Sequence, residues 1–289
     1  MANGRTIDLT VLVYGNWCQT ARAYLAYMAA CGLRPRKVLH VIAPGPRWQA
    51  ALLARACGRR AAARLVEWII MRPYRRPALR RLCEAVQRGF EVQVDYFSPP
   101  DYSGAADEYE RVIVPDLNSA QMLDVLRRQT SGALLYTCGG RVGGELLALP
   151  NLRVLHIHPG IVPHVKGSDG LLWSLATRGR PGASCFYMNT GIDAGPIIRT
   201  REFDPVALPP DVRAAPPEDV AAALLFAYDP HLRARLLVDI LRDLDAGADL
   251  ADLPTTPQDP AEGRTFHYMH AALKARLVRR LQRAGAEGR

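Results

Sequence analysis

The stretch Val154-Leu155-His156-Ile157-His158-Pro159-Gly160 constrains this chain more than any other. It is short and apolar, so it reads as a strand, and residues at i and i+2 of a strand share a face. His156 and His158 therefore project to the same side. Pro159-Gly160 ends the strand abruptly at its carboxyl end, which is where open α/β sheets place their ligands. About thirty residues on, after a Gly- and Ser-rich turn and a helical segment, Thr190-Gly191-Ile192-Asp193-Ala194-Gly195-Pro196-Ile197-Ile198 offers one carboxylate between glycines. Two imidazoles and a carboxylate are then available to one cleft.

The rest of the chain reads as a frame for that strand. Asp8 to Val13 is a continuous apolar run closed by Gly15, as a buried parallel strand requires. A helix follows, with Asn16 able to cap it, Ala21, Leu25, Met28 and Ala29 at helical spacing, and Gly32 and Pro35 ending it. Lys37 to Ile42 reads as the second strand, Trp48 to Gly89 as mainly helical with breaks at Pro73 and Pro77, and Phe90 to Tyr96 as an alternating, half-buried strand nearer an edge. A helix from Ser119 to Arg128 precedes a strand from Ala133 to Tyr136. That strand runs into Thr137-Cys138-Gly139-Gly140-Arg141-Val142-Gly143-Gly144, whose glycines allow a ligand close to the backbone, and a short helix follows over Glu145 to Leu149. No G-x-G-x-x-G follows the first strand and no G-x-x-x-x-G-K-[ST] occurs, so a dinucleotide or nucleotide phosphate site is not supported.

Alternating strands and helices predict an α/β fold, a Rossmann-like parallel sheet with helices on both faces. Beyond Phe203 the pairs Pro209-Pro210 and Pro216-Pro217 mark a linker, Glu218 to Leu244 is apolar at helical spacing, and the chain closes on a basic amphipathic helix. The expected division is an α/β unit over 1–204 and a Pro-rich linker with a mainly helical extension over 205–289.

With 49% hydrophobic residues in 289, the chain can bury a sizeable core. No run of 18 apolar residues occurs and the N-terminus leads directly into a strand, so no membrane span or secretory leader is expected and the location is read as cytoplasmic. The six cysteines lack C-x-x-C spacing, which argues against a zinc ribbon or a disulfide framework and for buried free thiols. The net charge of +9 comes from arginines clustered at 72–81 and 276–283. Solvated helix faces explain such clusters more often than nucleic acid does, and no aromatic-interleaved RNA or DNA motif accompanies them.

The central stretch resembles the catalytic core of the folate-dependent formyltransferases. The residues that carry the resemblance are His158-Pro159, then Ile161-Val162-Pro163, Lys166-Gly167, and Asp193-Ala194-Gly195-Pro196-Ile197. One departure is plain: the family's asparagine falls on His156. The Gln258 to Phe266 stretch, a Gln followed by Thr-aromatic, is similar to the sequence after the core in some sugar and small-amine formyltransferases.

The resemblance implies formyl transfer from N10-formyltetrahydrofolate to the amine of a small-molecule intermediate, with no resident metal. His156, His158 and Asp193 would be catalytic. The donor would lie against Tyr136, Cys138, Gly139, Gly140, Arg141 and Val142 and against Gly191 and Ile192. The amine would approach past Pro163, Lys166, Gly167 and Ser168. Hydrolysis of the formyl donor is the alternative reaction, and a first strand at Asp8 leaves no room for the regulatory domain that usually precedes it. The extension does not look like the barrel domain that methionyl-tRNA formyltransferases append, which disfavours a tRNA substrate. No nucleic-acid or membrane partner is expected, and a homodimer is left open.

The singled-out residues also have plainer readings. His158 could be a core histidine and Asp193 an ordinary turn residue, and the family match favours function for both. His156 has three readings: a drifted residue in a protein without catalysis, a donor replacing the amide, or a member of a metal triad with His158 and Asp193.

Overall fold

The computed structural model describes residues 4–45, 48–130, 132–137, 141–245 and 248–287, without the side chains of Trp48 and residues 285–287. The chain runs β1 (Arg5–Tyr14), α1 (Gln19–Ala30), β2 (Leu33–Ile42), α2 (Trp48–Cys57), α3 (Arg59–Met71), α4 (Pro77–Ala85), β3 (Glu108–Ile113), α5 (Ala120–Arg127), β4 (Gly132–Tyr136), α6 (Gly144–Leu147) and β5 (Leu152–His158). It continues through β6 (Lys166–Gly167), α7 (Gly170–Arg178), β7 (Gly182–Tyr187), β8 (Ile197–Glu202), α8 (Pro210–Arg213), α9 (Pro217–Ala223), α10 (Asp229–Arg242), β9 (Thr265–Phe266) and α11 (Ala271–Glu287). Seven strands form one sheet in the order β3-β2-β1-β4-β5-β7-β8. The pairings from β3 to β5 are parallel, and β7 and β8 add to β5 antiparallel.

Strand alternation divides the core between the two faces of the sheet. Leu155 and Ile157 of β5, with Ala133 and Leu135 of β4, pack into the cluster beneath α1 and α10, whereas Val154, Leu134 and Tyr136 belong to the cluster beneath α5 and α6. With a period of two, His156 and His158 share the second face with Val154. The 205–289 stretch is mainly helical, as expected, and α9 and α10 contribute to the same cluster as α1. Among the described residues no helix is long and apolar enough to cross a membrane.

Four local expectations are corrected. Asn16 does not cap α1: Cys18 occupies that position, while the Asn16 backbone N–H and side-chain amide are both held by Glu67, the latter at 2.6 Å. Pro35 lies inside β2 opposite Ile7, tolerated where the register with β1 shifts between Ile7 and Thr10. Phe90 to Tyr96 is not a strand. Its alternation buries Phe90, Val94 and Tyr96 against α10 and the turn before it, and Gln87 and Gln93 take up its backbone groups. The edge strand is instead β3, a charged segment pairing with β2, and charge on an edge strand is what keeps it from recruiting another chain. Cys57 is exposed, against the expectation of buried thiols, although Cys83 and Cys185 are buried.

Candidate active site

His156 stands at the point where three strands meet. It pairs in register with Tyr136 of β4 on one side and Phe186 of β7 on the other, and both rings lie 5.7 Å from its own, centroid to centroid. Its Nδ1 is 3.2 Å from the Tyr136 carbonyl oxygen. A carbonyl only accepts, so Nδ1 carries the hydrogen and Nε2 of the neutral ring is a lone pair. Burial holds the pKa of this ring down to about 4, against the opposing attraction of Asp193. At neutral pH His156 therefore offers its surroundings an acceptor rather than the N–H that a substitute for asparagine would need. In that tautomer Nε2 accepts, which differs from the N–H that the reading of His156 as a replacement donor expects.

His158 is the last residue of β5 and is 3% exposed. Its Nδ1 lies 3.3 Å from Asp193 Oδ2. Its Nε2 faces inward toward the Val165 carbonyl without a well-formed hydrogen bond, in a space kept open by two glycines. A Cβ at Gly170 or Gly160 would stand 2.9 or 3.1 Å from that nitrogen. Burial lowers the His158 pKa as well, with Asp193 again opposing.

Asp193 is delivered by the β7–β8 connection and is held in place from several directions. Its backbone is left-handed at φ 47°, the Gly167 N–H donates to Oδ2 at 2.7 Å, and Gln258 Nε2 donates to the carbonyls of Asp193 and Gly195 at 2.9 and 2.7 Å. Gly195 must be glycine because a Cβ there would sit 1.7 Å from the Tyr187 carbonyl oxygen. Gly167 has φ 92° and lies in β6, which pairs with β9; a Cβ there would sit 2.2 Å from the Phe266 oxygen. The Lys-Gly and Asp-x-Gly motifs are thus explained by close backbone approach. One ligand atom from each of His156, His158 and Asp193 lies within 4.8 Å of the others.

The remaining residues singled out in the sequence divide. Tyr136 is buried beside His156; Pro163, after a cis peptide bond, and Lys166 are buried, and Gly167 and Ser168 are half-buried along β6. Gly191 and Ile192 are exposed on the Asp193 loop. Arg141 is exposed, and Val142 is a core side chain under α5 and α6. Cys138, Gly139 and Gly140 lie outside the described residues. Sequence reasoning missed Arg233. Half-buried on α10, it ion-pairs with the buried Asp229 at 3.0 Å and donates to the Ile157 carbonyl, between the two histidines, at 3.3 Å. The only sequence signal for it was an i,i+4 charge pair in an apolar helix.

Two imidazoles and a carboxylate thus gather at the carboxyl end of a central strand of an open α/β sheet, the position at which such sheets place ligands. Among curated proteins the chain is 25% identical over 164 residues to the methionyl-tRNA formyltransferase of Syntrophus aciditrophicus, covering 55% of this chain and 48% of that one. It is also 25% identical over 202 residues to human cytosolic 10-formyltetrahydrofolate dehydrogenase, covering 64% of this chain and 20% of that one. By sequence, the chain is similar to formyltransferases and to a formyltetrahydrofolate enzyme. It spans less than half the length of these relatives. No family model matches. Among solved structures, a sugar N-formyltransferase from a Shewanella species aligns with 95% of this chain and 87% of its own at 13% identity and a TM-score of 0.47.

Proposed function

We propose that the chain moves a formyl group from N10-formyltetrahydrofolate to the amine of a small molecule, in the cytoplasm and without nucleic-acid or membrane partners. The observation that carries this reading is the clamped carboxylate: Asp193, fixed by Gly167 and beside His158 and His156, in a chain whose sequence relatives are formyltransferases. The amine lone pair forms the new C–N bond to the formyl carbon, the C=O pair moves onto oxygen, and the pair returns as the C–N10 bond breaks. One proton leaves the amine and one reaches N10, so a single carrier suffices. Asp193 is that carrier. Its Oδ2 is occupied by Gly167 and faces His158, which leaves Oδ1 for the proton, and His158 orients the carboxylate. The donor lies along Tyr136 to Val142 and the 190–195 loop, and the amine enters past Pro163 to Ser168.

The test is incubation with 10-formyltetrahydrofolate and a panel of amino acids, amino sugars and biosynthetic amines, following folate absorbance. Amine-dependent release of tetrahydrofolate is expected; no folate binding and no turnover with any amine would overturn the reading. The match to a 10-formyltetrahydrofolate dehydrogenase favours a second reaction, attack by water in place of the amine. Formate release at an undiminished rate without amine would select it.

A further inference from the structure

We propose that His156, His158 and Asp193 form a binding site for one divalent transition metal ion of the zinc class. The site overlaps the cleft used for the proposed function, but its existence does not rest on that function. The argument is the direction in which each lone pair points. The His156 Nδ1–H is spent on the Tyr136 carbonyl, which fixes the tautomer with Nε2 as a free acceptor. This is the second-shell arrangement of metal-ligating histidines, whose other N–H is held by a carbonyl or carboxylate. Nε2 of His158 has no hydrogen-bond partner and Nδ1 faces Asp193 Oδ2 at 3.3 Å, so when an ion enters, the ring hydrogen can sit on Nε2 and the Nδ1 lone pair can turn to the ion. Asp193 Oδ2 receives the Gly167 N–H from behind. Three donors, two of them backed by a backbone group, then lie together.

The distances suit a cation. The His158 Nδ1 to Asp193 Oδ2 separation of 3.3 Å is long for a charge-assisted hydrogen bond, typically about 2.7–2.9 Å. Two ligands each about 2.0–2.1 Å from a tetrahedral zinc stand about 3.3–3.4 Å apart, so this pair already has the right spacing. The full set lies within 4.8 Å, so loading draws the groups closer together. Two histidines and one carboxylate are also the donor set that leaves coordination positions open for substrate. Arg233 lies on α10, whose apolar side chains share a cluster with Leu155 and Ile157 on the other face of β5, and it is paired with Asp229 at 3.0 Å. If formyl transfer is the reaction, a metal here supplies positive charge where the formyl oxygen becomes negative, the task that His156 cannot perform through an N–H.

The test is titration of chelator-stripped protein with Co(II), read by ligand-field absorption and calorimetry, and with Zn(II), read by the rise in melting temperature. One equivalent of bound metal is expected, with at least about a hundredfold weaker binding in His156→Asn, since an amide is a poor ligand for this class of ion. Asp193→Asn, on a surface loop, gives the same readout should His156→Asn fail to fold. Absence of stoichiometric cobalt binding, or binding unchanged in both variants, overturns the proposal. Metal binding without formyl transfer supports this site and sinks the proposed function. Formyl transfer by protein that takes up no cobalt does the reverse.

Discussion

The side chain of Gln258 holds the backbone of Asp193: Nε2 lies 2.9 Å from the Asp193 carbonyl oxygen and 2.7 Å from that of Gly195. The amide therefore sets the loop that delivers the carboxylate, although it stands 65 residues away in sequence. Replacing Gln258 by Leu removes both bonds, worth about 1 kcal/mol each. Misplacing a reacting group by about 1 Å costs on the order of a hundredfold, so turnover should fall about ten- to a hundredfold while the fold persists. Denaturant melts together with steady-state kinetics check this; unchanged turnover would mean that the loop is held without it.

Gly167→Ala should destabilise the protein by more than the roughly 1–3 kcal/mol of a strained backbone, because φ 92° disfavours a side chain and the added Cβ would meet the Phe266 oxygen at 2.2 Å. Hydrogen exchange at Ser168, whose N–H donates to Phe266 at 2.9 Å, should speed up in the variant before global unfolding. Protection equal to that of the native protein would count against β6 and β9 as a clasp.

The His156 tautomer is directly observable. Selective nitrogen-15 labelling of histidine should show His156 protonated at Nδ1 and not at Nε2 at neutral pH, and the signal should not titrate until the pH approaches about 4. An Nε2-protonated ring would restore the donor reading.

His40 and His231 set a pH dependence of stability away from the site. Burial lowers them to about 4 and about 3, and each has both ring nitrogens occupied: His40 by Tyr109 and the Gly15 carbonyl, His231 by Tyr27 and Gln87. Both folded-state values lie below the unfolded value near 6.5, so the unfolded chain takes up protons first. The stabilisation is complete above pH 6.5 and is lost as pH falls toward 4, at about 1.4 kcal/mol per pH unit per group. The slope of stability against pH should drop by about one proton in His40→Gln, and an identical slope would refute it.

Arg233→Met should cost about 3–5 kcal/mol, since it leaves the buried carboxylate of Asp229 without its partner. Adding Asp229→Asn should recover part of that loss. A surface-like change of a few tenths would contradict the buried pair.

What could be read in the sequence was whatever repeats at a fixed period or ends in a backbone special. β5 declared itself because its apolar alternation stops at Pro159-Gly160, and the shared face of His156 and His158 follows from period two alone. The Asp193 loop was legible through glycines that close approach requires. β3 was illegible because Glu108, Glu110 and Arg111 make an edge strand look like a loop. Phe90 to Tyr96 misled in the opposite direction, its alternation serving a side-chain clamp rather than a ladder. Asn16 looked like a cap because its partner Glu67 is 51 residues distant. The tautomer of His156 depends on a neighbouring strand's carbonyl, and no local pattern encodes that.

The pairing of Lys166-Gly167 with Thr265-Phe266 ties the inheritance of the chain's last segment to the chemistry of its middle. A recombination that exchanged the C-terminal end for that of another protein would also carry over the setting of the Asp193 carboxylate. Drift at Thr265, Phe266 or Gln258 would therefore first appear as a change in the pace of the reaction, and selection on that pace has a handle about a hundred residues away from the histidines.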